Sequence, residues 1–257
     1  MRNWLETKTA TLKISKEYFH HHAFEILNSH KILKQKIESV LNQNIKICPR
    51  FKNTKGLESR AIKAEDLNKE IRNLLKSSSN VNLKFEVIEE RGVFYFSSQN
   101  NAIGGFDFAF INHIKNIYSL RNLCFGELKY HDGEARWNQF LSKNLDLKDL
   151  VESVLTNDQK GKDLQYEKSV NDNPLFVGEI QFGNWALAYR DFFKVLKANV
   201  QNSIDCLIYV VPTGNLESML SDGIVTYDKT VKILEEFAKV VSVPIWLVGI
   251  DISVNNN

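Results

Sequence analysis

Glu179 and Gln181 stand two residues apart in the run VGEIQF, whose other members are apolar or glycine. At that spacing an acid and an amide share one face of a strand, with Ile180 and Phe182 on the other. A carboxylate in such a run is costly to bury unless it is paired or holds a cation. A glutamate holding a hard cation beside an amide that orients a water suits metal-assisted hydrolysis. The plainer interpretation is a half-exposed strand whose polar face meets solvent. A related pattern lies earlier: Glu127 and Lys129 in FGELKY, preceded by Asp107 in GGFDFAFI. His20, His21 and His22 also carry metal-ligating groups. Consecutive side chains on a helix diverge, however, so a surface or partly packed role is expected for them.

The elements needed to position Glu179 are legible around it. DLQYEKSV, an NDNP turn and LFVGEIQF read as a hairpin. From Trp185, apolar residues fall at 185, 188, 189, 192, 193, 196 and 200, the stripe of a helix packed on one face. CLIYVVP (206–212) is a continuous apolar run, expected to be a strand buried on both faces. The loop TGNLESMLSDGIVT leads to a helix over about 227–241, and PIWLVGI (244–250) closes as a second buried strand. Upstream, 17–42 reads as one or two helices and 64–76 as another. NLKFEVIEE and GVFYFSS read as strands near 82–97. Over 100–160, GGFDFAFI and NLCFGELKY read as strands and NLDLKDLVESVL as a helix. The order predicts an α/β fold with a mixed central sheet flanked by helices. It forms one domain over 1–257: a helical N-terminal part (about 15–76), an insertion (about 95–160) and a core (about 162–251).

Composition sets the frame. With 257 residues, 43% hydrophobic and 25% charged, the chain has a globular make-up. Lys+Arg 33 against Asp+Glu 31 is near balance, so overall charge neither demands nor excludes a polyanionic partner. Three scattered cysteines without a CxxC pair argue against a disulfide framework or structural zinc, and for a cytoplasmic location. No signal peptide or membrane-length apolar run is visible.

An acidic hairpin strand, a strand bearing E-x-Q or E-x-K, an amphipathic helix and a buried strand are the ordered parts of the PD-(D/E)xK nuclease fold. After Glu179 both required later elements follow. After Glu127 no buried strand appears, so Glu179 is preferred and the Asp107/Glu127/Lys129 set is the alternative. Over about 175–251, GEIQFGNWALAYRDFFK, IDCLIYVVP, MLSDGIVTYD and PIWLVGID resemble the BglII/BstYI group of type II restriction endonucleases. The helical stretch 18–76 is more loosely similar, and 95–160 has no counterpart. The resemblance implies a Mg²⁺-dependent homodimer that cuts a short palindrome in double-stranded DNA, with a cognate DNA methyltransferase in the same system. It places Glu179 on the group's metal-binding glutamate, Gln181 on its glutamine partner and Asn184 on a base-reading position. Ser221 and Asp222 lie in a loop similar to the group's recognition loop.

One position departs from the group: where an aspartate precedes the glutamate by about nine residues, this chain has Val170. With a hairpin turn near 171, Asp163 lies across from Glu179 and is the first choice as catalytic and metal-binding acid. With the turn one or two residues later, Glu167 takes that place, and Asp172 sits too far up the strand, at about 3.3 Å per residue. Asn184 has a second interpretation as a cap on the helix at Trp185. The basic stretch CPRFKNTKGLESR is a candidate phosphate clamp or a solvated loop. The departure at Val170 leaves an inactive DNA-binding relative as a second functional expectation, and a nuclease of repair or defence without sequence specificity is a third.

Overall fold

In chain order the protein forms β1 (Thr9–His20), α1 (Ala23–Ser29), α2 (Lys31–Leu41), β2 (Asn44–Lys46), β3 (Pro49–Thr54), β4 (Leu57–Ile62), α3 (Ala64–Ser77) and β5 (Leu83–Val87). There follow β6 (Phe106–Phe110), α4 (His113–Phe125), α5 (Gly133–Lys143), a 3-10 turn (Leu145–Leu147), α6 (Lys148–Val154) and β7 (Phe176–Ile180). The chain then runs through α7 (Leu187–Val200), β8 (Cys206–Pro212), α8 (Gly214–Met219), α9 (Tyr227–Glu236) and β9 (Ile245–Ser253). This computed structural model describes residues 4–54, 56–78, 83–87, 105–154, 160–167, 174–200 and 204–254. The expected strand at GVFYFSS, Val170, Asp172 and most of the NDNP turn lie outside the described residues.

Contacts divide the chain into two units. Unit 1 comprises 1–81, 178–193 and 206–257. Its strands run in the order β2-β1-β9-β8-β7. β1 is antiparallel to both β2 and β9, whereas β8 is parallel to β9, so the sheet is mixed. Every residue of β8, and all of β9 but Ser253, is buried, which is why both read as unbroken apolar runs. α3 turns Leu67, Ile71 and Leu75 inward at helical spacing. β3 and β4 form a separate antiparallel hairpin.

Unit 2 comprises 82–177 and 194–205. β5 pairs antiparallel with β6, and the first residues of β7 lie on the other side of β6. Its helices close around Ile117, Leu120, Cys124, Phe140 and Val151.

Three stretches differ from the sequence-based expectation. The region 15–76 is not purely helical, since it holds β2, β3, β4 and half of β1. A register shift between Ile14 and Lys16 breaks the two-residue alternation of β1 and hides the strand. His20 therefore ends a strand, with its Nε2 2.7 Å from the Val241 carbonyl oxygen, and burial lowers its pKa. NLCFGELKY is not a strand either. Asn112 caps α4 by accepting the Lys115 N–H at 3.0 Å, and the helix runs through Phe125. Finally, 163–167 forms no strand, so the described part of DLQYEKSV does not make the first arm of a hairpin.

Candidate active site

β7 is buried along its whole length, and Glu179 and Gln181 retain only 6% and 7% exposure. That excludes the solvated-face interpretation of the acid-amide pair. Both side chains lie within unit 1, on a strand end that the main chain fixes: the Gln181 N–H donates to the Val210 oxygen at 2.9 Å. The backbone beside Glu179 is held as well, since Asn68 of α3 donates through Nδ2 to the Ile180 oxygen at 3.0 Å.

The Gln181 carboxamide is held at both ends. Its Oε1 accepts the Gly183 N–H at 2.9 Å, and its Nε2 donates to Asp191 Oδ2 at 2.7 Å. A Cβ at Gly183 would stand 2.7 Å from Leu187 Cδ1 and 2.9 Å from that same Oε1, so a larger residue would push on both side chains. Asp191 is wholly buried on the inner face of α7 and also accepts the Tyr209 hydroxyl at 3.0 Å. Arg190 lies 3.7 Å from its other oxygen. Burial first, then the charges of Asp191 and Glu179, raise the Tyr209 pKa well above its ordinary value, so the hydroxyl remains a donor. The Asp191 carboxylate thus links the Gln181 amide to the buried Tyr209 phenol.

Asp191 and Asn68 were not foreseen from the sequence. The apolar arc at 185, 188, 189, 192, 193, 196 and 200 suggests a single packed stripe, and of these Ala188 and Phe192 are buried. Trp185, Tyr189, Phe193 and Val200 are instead exposed, and the buried face runs through Ala188, Asp191, Phe192, Val195 and Ala198. An apolar arc too wide for one buried face was the available signal, and Asp191 sits on the inner half of it.

Asn184 occupies the turn between β7 and α7. It is exposed, and its Oδ1 accepts the Ala186 N–H at 2.9 Å, so the capping interaction is present. The turn is tied to the loop after α8 by Trp185 N–H to the Gly223 oxygen and Val225 N–H to the Gly183 oxygen, both 2.9 Å. That loop carries Ser221 and Asp222, which therefore lie on the segment joined to Asn184. Arg50 reaches Ser221 Oγ at 3.5 Å, Lys52 reaches Asp222 at 3.3 Å and Thr54 donates to Asp222 Oδ2 at 3.1 Å. Lys52 also donates to the Leu220 oxygen at 2.5 Å. A cavity of about 430 Å³ opens here, lined in part by Lys52, Ser221, Asp222 and Lys229. The basic stretch thus acts locally as a brace for the loop.

The remaining candidates lie in unit 2. Asp163 is exposed in irregular chain. Its Oδ1 accepts the Glu127 N–H at 3.1 Å, and Asn122 of α4 bonds both the N–H and the oxygen of Leu164 at 2.9 Å. The strand register that selected Asp163 is absent because its segment is pinned along the end of α4. Glu167 is likewise exposed and outside any strand. Glu127 and Lys129 sit in an exposed turn, not on a strand face, whereas Asp107 is half-buried on β6.

For Mg²⁺ the donor chemistry fits at Glu179. A buried carboxylate supplies a hard oxygen and needs a compensating charge, and Mg²⁺ commonly takes one or two carboxylates together with water and substrate phosphate. No group of three or more His, Cys, Asp or Glu side chains that could cage a metal occurs among the described residues.

The sequence profile of the restriction endonuclease BglII/BglIII family matches residues 15–250. The chain belongs to that family. Membership makes it a site-specific deoxyribonuclease by descent, and the mixed sheet flanked by helices is the fold expected from the sequence. Among solved structures, BglII complexed with a DNA 16-mer matches with a TM-score of 0.49 at 16% identity, covering 91% of this chain and 74% of that one. Free BglII matches with a TM-score of 0.39 at 14% identity, covering 91% and 77%. No curated protein matches. Among the described residues no helix is long and apolar enough to cross a membrane.

Proposed function

We propose that this family member is a type II restriction endonuclease, a homodimer that hydrolyses phosphodiester bonds of double-stranded DNA at a short palindrome with Mg²⁺. The observation that carries this is the buried pair of Glu179 on β7 and Gln181 just past its end, within a chain that matches the family almost end to end. Glu179 holds the metal through its carboxylate. The chemistry supplied by bound Mg²⁺ is activation of water and neutralisation of charge on the scissile phosphate. Gln181 carries no charge and orients the attacking water. Asn68 fixes the main chain between the two. Asn184, Ser221 and Asp222 read the bases, and a cognate methyltransferase protects the host site in the cytoplasm. Incubating the purified protein with phage DNA and Mg²⁺ tests the proposal, with discrete fragments expected. A smear would point to a nonspecific nuclease, and intact DNA to an inactive relative.

The second acid is open to direct comparison. Asp163 is the acid chosen from the sequence, but its carboxylate is committed to the Glu127 N–H. Asp107, half-buried on β6 and a member of the alternative Asp107/Glu127/Lys129 set, is the acid to compare with it. Asp107→Asn is expected to slow single-turnover cleavage by roughly 10²-fold or more, the loss typical of one charge-stabilising group. Asp163→Asn should stay within about tenfold, since a hydrogen-bond acceptor survives. The reverse ranking restores Asp163.

An unpaired apolar face supports the homodimer. Trp185, Tyr189 and Phe193 recur every four residues on the outer side of the α7 segment and are 47%, 40% and 60% exposed. Tyr189 meets Phe237 edge-on at 6.0 Å, and Val240, just beyond, is 59% exposed. Contiguous exposed aromatics of this kind mark association surfaces. Phe193→Arg is expected to convert a dimer to monomer in sedimentation velocity without loss of thermal stability. A variant that still sediments as a dimer places the interface elsewhere.

A further inference from the structure

We infer that Asp191 is a positioning residue for the cleavage reaction, which acts by fixing the orientation of the Gln181 carboxamide. This rests on the role given to Gln181 above. A carboxamide can rotate by half a turn about its last bond and exchange its oxygen with its nitrogen, presenting the opposite chemistry to a substrate. Here two neighbours select one orientation. The Gly183 N–H requires an acceptor at Oε1, and the Asp191 carboxylate requires a donor at Nε2. In the rotated form an amide oxygen would face a carboxylate and an NH₂ would face an N–H, both unfavourable. The Asp191 contact is the charge-assisted one and therefore the stronger selector. It is 2.7 Å long, in a wholly buried site, and the Tyr209 hydroxyl at 3.0 Å holds the accepting oxygen from another side.

One N–H of Nε2 and one lone pair of Oε1 are then free of these contacts and have fixed directions. A water bound between them meets the same donor and acceptor in every turnover. Without Asp191 the amide samples both orientations, and misplaced reacting groups cost rate, not affinity.

The test compares single-turnover cleavage in Mg²⁺ with DNA affinity in Ca²⁺ and thermal melting, for a set of variants of the full chain. Asp191→Ala is expected to slow cleavage by about 10²-fold while affinity changes only a few-fold. Asp191→Asn should recover most of the rate, because its Oδ1 can replace the accepting oxygen. In a Gln181→Ala background, Asp191→Ala should cost nothing further, since residues acting as a unit are non-additive. Should Asp191→Ala fold poorly, a second pair replaces it. Gln181→Glu sets two carboxylates against each other, and adding Asp191→Asn should make that variant faster. Losses that multiply in the Gln181→Ala background, or a Gln181→Glu variant that Asp191→Asn fails to speed, overturn the inference. A Gln181→Ala enzyme that cuts at the wild-type rate overturns the role of Gln181 itself, a separate failure.

Discussion

Glu179→Ala is expected to give a protein that binds DNA and does not cut it. The side chain is 6% exposed on a strand buried along its length, and its negative charge is felt by the buried Tyr209 hydroxyl. On the role proposed for Glu179, alanine removes the oxygen that would anchor the metal and with it the activation of water. The loss should be at least roughly 10²–10³-fold in the single-turnover rate, as when one stabiliser of developing charge is deleted. DNA affinity in metal-free buffer should hold or rise, because a carboxylate that repels phosphate has gone. Stability should change little, since the desolvation cost of burying a carboxylate offsets the contacts it makes. Cleavage assays, gel shifts in EDTA and a thermal melt on the same preparation check all three. A variant that cuts at near the wild-type rate moves the active site away from β7 and directs attention to Asp107, Glu127 and Lys129.

Asn184→Ala should lose cognate cleavage by orders of magnitude while retaining weak, salt-sensitive DNA binding. The side chain is exposed at the mouth of the α7 turn, on the segment bonded to the Ser221–Asp222 loop. Its Oδ1 already accepts the Ala186 N–H, but a carbonyl oxygen has a second lone pair and the NH₂ group has no part in the cap. Donor and acceptor together suit adenine in the major groove, where a good bidentate contact discriminates by about 1–3 kcal/mol. A symmetric dimer makes the contact twice and so loses up to about double. Binding through phosphate neutralisation survives, and its salt dependence identifies it. Two capping variants separate the roles. Asn184→Asp and Asn184→Ser keep an oxygen for Ala186 but lose the amide pattern. If either cuts the same site at full rate, Asn184 serves only as a cap, worth about 1 kcal/mol of stability.

The sequence by itself determined the strand that carries Glu179, the helix after it and the buried strands β8 and β9. These are local patterns, a polar pair in an apolar run and continuous apolar segments, and burial on both faces leaves no other composition. It also determined the family, because GEIQFGNW and the runs that follow lie close together in the chain. Tertiary structure alone decided the partners. Asp191 is ten residues beyond Gln181, Tyr209 eighteen beyond Asp191 and Asn68 over a hundred before Ile180. No periodicity links such separations, which exist only where α7, β8 and α3 pack around β7. The same reason removes the register from which Asp163 was chosen. Cross-strand register needs two strands, and side-chain bonds from Asn122, with the main chain at Glu127, hold that segment on the end of α4 instead. Which half of the wide apolar arc of α7 turns inward was also beyond the sequence. Hydrophobicity says that a face is to be covered, and only packing shows which face the protein covers with its own chain.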